Sequence, residues 1–236
     1  MKGTELRIWV DEFDFSSATS QVDVNIESGE AEDTSLASTA QEFEPLLAKT
    51  TVAQNGYFRG VLPAGFAAEL EARFGAGDAI VTVITEQSDP NCACYVLPAA
   101  ANYNMVFGSP VNGLVTLNGQ WGTSVAAQRG LRVADDSWVD TVGLIPGITD
   151  FDFAPITRGV AYFHIYEIEG AAVDASISIE SAVVMTFGEV GALSFSSIGG
   201  YRVELSGPTL GQFIRLNCTS LGGATRFKFT AVVCLE

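Results

Sequence analysis

Apolar side chains recur at every second position through much of this chain, and that period predicts strands. Leu6, Ile8 and Val10 open the series, and Val22, Val24 and Ile26 continue it. A run over residues 50–61 follows, interrupted at Asn55-Gly56, a pair that signals a turn or a bulge. One stretch has a different period. Phe66, Leu70 and Phe74 recur every four residues, with Pro63 before them and Gly75 and Gly77 after. This spacing predicts a single helix over about residues 64–74, with a proline start and a glycine stop. Residues 79–85 form a continuous apolar run, read as a buried strand. Segments 103–107 and 114–121 flank the turn-rich GSPVNG and predict a hairpin.

The stretch RVADDSWVDTVGLIPGITDFDFAP has little periodicity and reads as linker and loop. Beyond it the helix signal is absent and short strands follow at regular spacing: 160–168, 173–179, 182–187, 192–195, 201–205, 213–218 and 227–235. In the last, Phe227, Phe229, Ala231, Val233 and Leu235 share one face, and Gly222-Gly223 turns the final hairpin. The chain is therefore expected to be mainly β. A first domain, 1–133, carries one flanking helix, and a second, 134–236, is an all-β sandwich of jelly-roll or immunoglobulin-like type. The tripeptide Phe-Asp-Phe occurs at 13–15 and 151–153, but the surrounding residues do not align, so it marks no duplication.

Composition narrows the function classes. Of 236 residues, 47% are hydrophobic, enough for real cores. Only 17% are charged, below the roughly 25% of an ordinary soluble domain. Lysine stands only at 2, 49 and 228. Interfaces are poor in lysine, so such a surface suggests extensive cover by partners. The net charge of −16 argues against tight binding to nucleic acid or to an anionic membrane. The residues Met1 to Ile8 contain no apolar signal-peptide core, and no run approaches the about 18 apolar residues of a spanning helix. These features lead to the expectation of a chain made and folded in a cytoplasm. Four cysteines in so long a chain do not build a disulfide framework.

Candidate chemistry is sparse. The single histidine, His164, lies within the aromatic strand VAYFHIYEI and reads as a packed side chain. Cys92 and Cys94 share a face but lack further ligands for a metal, and Cys218 alternates with Ile214 and Leu216 as a buried thiol does. The acid pairs Asp11 with Asp14, Asp135 with Asp136, and Asp150 with Asp152 lie in polar stretches, where solvated carboxylates are expected. No phosphate loop, nucleophile elbow or HExxH helix is present in the sequence. The residues therefore offer no catalytic group, no cofactor site and no metal site, and an enzyme is not expected.

Between the strands at 22–26 and 51–54 lies EAEDTSLASTAQEFEP, five acids without a base. The order that surrounds it is a half-buried strand, the AEDTS step, a polar and small connection, a strand ending in NGYFRG, a helix, a buried strand and the long hairpin CYVLPAAANYNMVFGSPVNGLVTLNGQWG. Over roughly residues 1–130 this resembles the tail tube (major tail) proteins of long-tailed bacteriophages. The resemblance implies a β-sandwich with a flanking helix. It implies rings, commonly of six subunits, stacked into a hollow tube whose inner strands join into one barrel. Its implied partners are other copies of the chain, a tape-measure protein, tail-terminator and distal-tail proteins, and viral DNA in transit. The implied location is the virion tail, assembled in the host cytoplasm. The second half resembles the β-sandwich decorations on the outside of some tubes. Under this resemblance Glu30, Glu32, Asp33, Glu42 and Glu44 contact neighbouring subunits or face the lumen, where acids repel phosphate.

Two other readings share the composition. One is a capsid decoration or head protein. The other is a carbohydrate-binding module in the second half, using the rings of Trp138, Tyr162, Tyr166 and Tyr201.

Overall fold

In a computed structural model, residues 6–32, 43–57, 66–86, 88–89, 92–108, 115–123, 125–134, 136, 138–146, 149–150, 158–170, 174–182, 186–207 and 210–235 are described. The protein is mainly β, with antiparallel sheets and, among the described residues, one short α-helix. It divides into two compact units. Unit 1 comprises Met1–Ser17, Ile80–Val96 and Gln128–Glu236; unit 2 comprises Ala18–Ala79 and Leu97–Ala127.

Unit 1 holds two sheets. In the first, the strand order is β15 (Gly199–Ser206), β12 (Arg158–Gly170), β17 (Ala224–Leu235), β8 (Gln128–Ala134), the start of β6 (Ala93–Gly108), β5 (Ala79–Ile84), β1 (Arg7–Val10) and β2 (Phe13–Asp14). The short β9 (Trp138–Val139) also pairs with β17. The second sheet runs β10 (Gly143–Leu144), β16 (Phe213–Ser220), β13 (Ala175–Ala182), β14 (Gly188–Phe195), with β11 (Thr149–Asp150) also on β16.

The period-two pattern explains how these sheets meet. Phe163 and Ile165 of β12, with Phe227, Phe229 and Val233 of β17, join Ile177, Ile179, Leu193, Phe195, Ile214 and Leu216 in one core. The rings interlock, with Phe195 edge-on to Phe227 at 5.1 Å and Phe163 tilted to Phe229 at 5.9 Å. The alternate residues Val160, Tyr162, Val232 and Cys234 are buried too, in a second cluster with Trp9, Ile80, Ile84, Cys92, Cys94 and Val96. Central strands buried on both faces are apolar at almost every position, and β12 has that character. Gly222 and Gly223 turn into β17 with φ of +63° and +124°, as the glycine pair predicts.

Unit 2 is built on a four-stranded sheet, β3 (Thr19–Glu32), β4 (Phe43–Tyr57), β7 (Thr116–Thr123) and the later part of β6. The helix α1 (Phe66–Ala72) stands where the four-residue period places it. Gly75, at φ +75°, ends it and donates its N–H to the Asn102 carbonyl at 2.8 Å. Leu70 is fully buried and packs over Gly119, where a Cβ would lie 3.1 Å from a Leu70 methyl.

Several expectations need correction. Asn55-Gly56 is not a turn, because β4 runs through it. The bulge lies on the partner strand, where register slips between Thr19 and Gln21. Glycine is needed at 56 for close approach, since a Cβ would come within contact of the Ala18 carbonyl oxygen. The stretch read as loop after residue 131 instead completes β8 and forms β9, β10 and β11. Its period is short because three of these strands have two residues each. The strand expected at 182–187 is not a separate element: Ala182 closes β13, Gly188 opens β14, and 183–185 lie outside the described residues. The expected boundary at 133/134 also differs from the compact units, because β1, β5 and the start of β6 lie in the same sheet as β12 and β17.

Candidate functional site

The sheet of unit 2 has two chemically different faces, set by alternation along each strand. Thr50, Val52, Gln54 and Gly56 of β4 and Leu117, Gly119 and Trp121 of β7 are buried on one side. The polar groups there are satisfied within the sheet. Trp121 Nε1 donates to Gln54 Oε1 at 3.2 Å, and Gln54 Nε2 donates to Thr19 Oγ1 at 2.7 Å.

The opposite face is a grid of amides. Gln21, Asn55 and Asn118 lie abreast on three neighbouring strands with the exposed Val106 beside them on the fourth, and the next row holds Asp23, Ala53, Gln120 and Asn104. Asn25 leads the row after that, beside Thr51 and Gly122. The side chains also bond along the strand, Gln21 to Asp23 at 2.8 Å and Asn25 to Glu27 at 2.6 Å. Charge is slight. Asp23 and Glu27 contribute carboxylates, and Lys49 stands opposite Glu27.

Tyr103, extra in β6 where the register to β7 shifts, lies over Gly122, where a Cβ would be 2.8 Å from the ring. Bonds from Thr51 and Gln120 hold its hydroxyl, while burial against the sheet pushes its pKa up. The residue is 42% exposed.

Among the described residues the sheet has two edges without a strand partner. Among the described strands β3 pairs with β4 alone, and β6 beyond the bulge runs along β7 alone. Apolar exposure concentrates in this unit, at Ile26, Tyr57, Phe74, Val106 and Phe107 among others.

Of the five acids singled out in the sequence, Glu30, Glu32 and Glu44 belong to the paired ends of β3 and β4. Glu30 stands across from Pro45, Ala31 from Glu44, and Glu32 from Phe43. The excursion is therefore shorter than the sequence suggests, because both strands extend into it. The side chains of Glu30, Glu32 and Glu44, and the whole of Asp33 and Glu42, lie outside the described residues. Sequence reading passed over the amide face. Its signal was present in Gln21-Asp23-Asn25 alternating with Val22-Val24-Ile26, where attention goes to the apolar half of the pattern.

Chemistry elsewhere is enclosed in unit 1. His164 is fully buried. Its Nδ1 lies 2.7 Å from the Asp11 carbonyl oxygen and its Nε2 2.7 Å from Thr82 Oγ1. A carbonyl only accepts, so Nδ1 carries the proton and Nε2 accepts from the threonine. Burial drives the imidazole pKa down to about 4. Asp11, expected to be solvated, is buried instead and accepts the Ile80 N–H at 2.9 Å. Its φ of +47° lets the chain turn there between β1 and β2. Asp14 is held by Arg7 at 3.0 Å, and Asp136 lies near Arg7, Lys228 and the Tyr166 hydroxyl. Cys218 is a buried core thiol, as expected.

The rings suggested for sugar binding do not form one platform. Tyr162 is buried, with its hydroxyl donating to Gln128 at 2.6 Å. Tyr166 packs on Trp9, Arg226 lies 4.0 Å over Trp138, and Tyr201 bonds to Ser197. Among the described residues no group of three or more His, Cys, Asp or Glu is arranged to hold a metal ion.

No family model matches the chain, and no curated protein matches it. Solved structures do. A chain from the virion of a native gene transfer agent particle is 14% identical, with a TM-score of 0.42 over 55% of this chain and 98% of its own. A chain from the tail of an empty gene transfer agent particle, with C6 symmetry, is 13% identical, with a TM-score of 0.37 over 53% and 94%. The SPP1 Dit protein, described as a paradigm of the hub adsorption apparatus in phages of Gram-positive hosts, is 10% identical, with a TM-score of 0.38 over 98% and 99%.

Proposed function

We propose that this chain is a virion structural protein of a phage-type tail. Copies join edge to edge through the unit 2 sheet into rings, which stack into a hollow tube that holds a tape-measure protein and conducts DNA. The observation that carries the reading is the four-stranded sheet, with two edges that have no strand partner among the described residues and one amide-rich face. Open edges are a hazard that proteins cover or close, and closing a sheet on itself through neighbouring copies removes them. A face whose described residues are mostly neutral, with two carboxylates and one lysine, releases few counterions, so a phosphate backbone meets it without being held. Glu30, Glu32, Asp33, Glu42 and Glu44 are assigned to contacts between subunits or to the lumen, and residues 134–236 to the tube exterior.

Negative-stain electron microscopy of the purified chain over a range of concentration and salt tests this. Stacked rings or hollow tubes are the expected result. A monodisperse monomer under every condition refutes self-assembly, and single closed oligomers that never stack point to a capsid decoration instead.

A further inference from the structure

We propose that two copies of the chain associate through the uncharged end of the unit 2 sheet, related by a two-fold axis, with their acidic ends pointing apart. The sheet is chemically polarised along its strands. Toward one end Glu27 stands opposite Lys49, and Glu30, Glu32 and Glu44 lie beyond them in the register. Toward the other end Asp23 is the last charged residue. The four rows that follow, those of Val22, Gln21, Thr19 and Tyr57, are uncharged across the sheet. The sequence underlies this, because from Pro90 to Gln128, through β6 and β7, there is no Asp, Glu, Lys or Arg. Apolar side chains are exposed at the same end, at Tyr57, Val106, Phe107 and Val115. By alternation Tyr57 and Val106 belong to the amide face and Phe107 to the opposite one, so both faces contribute.

Burying apolar surface favours association, whereas a charge that must shed its water opposes it. The surface that fits this end is therefore itself apolar and uncharged. The same end of a second copy is such a surface, and a two-fold contact sets like on like. Charge selects the same orientation. Copies with a net charge of −16 repel one another over most approaches. Contact at the uncharged ends holds Glu27, Glu30, Glu32 and Glu44 of the two copies apart, whereas any other pairing of the sheet ends brings those acids onto a neighbour. A two-fold contact is self-complementary and closed, so it gives a dimer and no longer array. The inference stands apart from the tail reading, since this dimer forms or fails to form whether or not rings and tubes assemble.

Its response to salt is distinctive. Screening shortens the range of charge repulsion from about 30 Å at 0.01 M salt to about 8 Å at 0.15 M. Sulfate strengthens apolar burial further. The dimer should therefore tighten as ionic strength rises, opposite to an association held by ion pairs.

Sedimentation velocity of the purified full-length chain, over a range of concentration at low salt, at physiological salt and with added ammonium sulfate, reads this equilibrium. A dimer that tightens with salt is expected. Val106→Asp places a carboxylate in the contact from each copy and should raise the dissociation constant by at least about a hundredfold. Glu27→Gln, at the acidic end, should not weaken the dimer. The contact is located with a photoreactive benzoylphenylalanine in place of Tyr57, in a mixture of isotopically light and heavy copies, so that crosslinks between copies are recognised. Crosslinks to residues 54–57, 104–108 or 115–118 of the other copy are expected. Crosslinks to residues 27–32 or 43–49 would mean head-to-tail stacking and overturn the proposal. A monomer under every condition, or a dimer that loosens as salt rises, overturns it too. So does a monomer that floats with phosphatidylcholine vesicles, which would assign this end to a bilayer. The crosslink decides the question even if Val106→Asp misfolds.

Discussion

Acid should destabilise unit 1 through one side chain, and the size of the effect follows from its surroundings. His164 lies wholly inside the unit, with Trp9 stacked at 6.0 Å and its two nitrogens taken by Asp11 and Thr82. Its pKa falls from 6.5 to about 4 on folding, because burial penalises the imidazolium. The unfolded chain therefore takes up a proton as pH drops below 6.5, and the native state takes none until about pH 4. Stability is unaffected by this group above pH 6.5. Below that it is lost at up to about 1.4 kcal/mol per pH unit, to a total on the order of 3 kcal/mol by pH 4.

Carboxylates titrate in the lower half of the same window, so the comparison is between wild type and His164→Gln by urea unfolding at pH 7, 6, 5 and 4. The variant is expected to be less stable at pH 7 and to lose less on acidification, so that the two curves converge by about 3 kcal/mol. Because this is the only histidine in the chain, its imidazole resonance in an NMR titration is free of overlap. A midpoint near 6.5 in the folded protein, or parallel unfolding curves, would refute the reasoning.

Two further substitutions test unit 2. Trp121→Phe shrinks the ring and removes the donor to Gln54 Oε1, leaving a small cavity and a buried acceptor unmet; chemical denaturation should show a loss of about 2–4 kcal/mol, and Gln54→Leu in the same background should recover part of it. Gly56→Val drives a side chain against the Ala18 carbonyl and should cost about 1–3 kcal/mol, whereas Asn55→Ser, one position away on the amide face, should shift the melting temperature little.

The parts of the fold that sequence reading recovered are those where one residue type does one job. The apolar face of β17, the glycine stop after α1, the buried run of β5 and the packed His164 all follow from local pattern. It missed cases where the reason is a partner distant in sequence. Gly56 is small because of Ala18, and Asp11 is buried because the Ile80 N–H needs an acceptor. The division at 133/134 followed a change in texture along the chain, whereas β1 and β5 pack with strands more than a hundred residues later. Of the candidate site, the half-buried strands were legible but not their neighbours, so the amides of β3, β4 and β7 did not emerge as one surface until the register aligned them.

The threading of unit 1 sets an order of events during synthesis. Every segment of unit 2 has been made once residue 127 is released, so its sheet is free to close early. Unit 1 draws its first strand from residues 7–10 and its central strand from 224–235, so Trp9 and its neighbours must wait for almost the whole polypeptide before β17 supplies Val232 and Cys234. Contacts so far apart in sequence form slowly. A chain arranged in this way has the sheet of unit 2 ready before unit 1 is complete, and a nascent chain cut short near residue 134 would leave the cluster of Trp9, Ile80, Ile84 and Cys94 exposed.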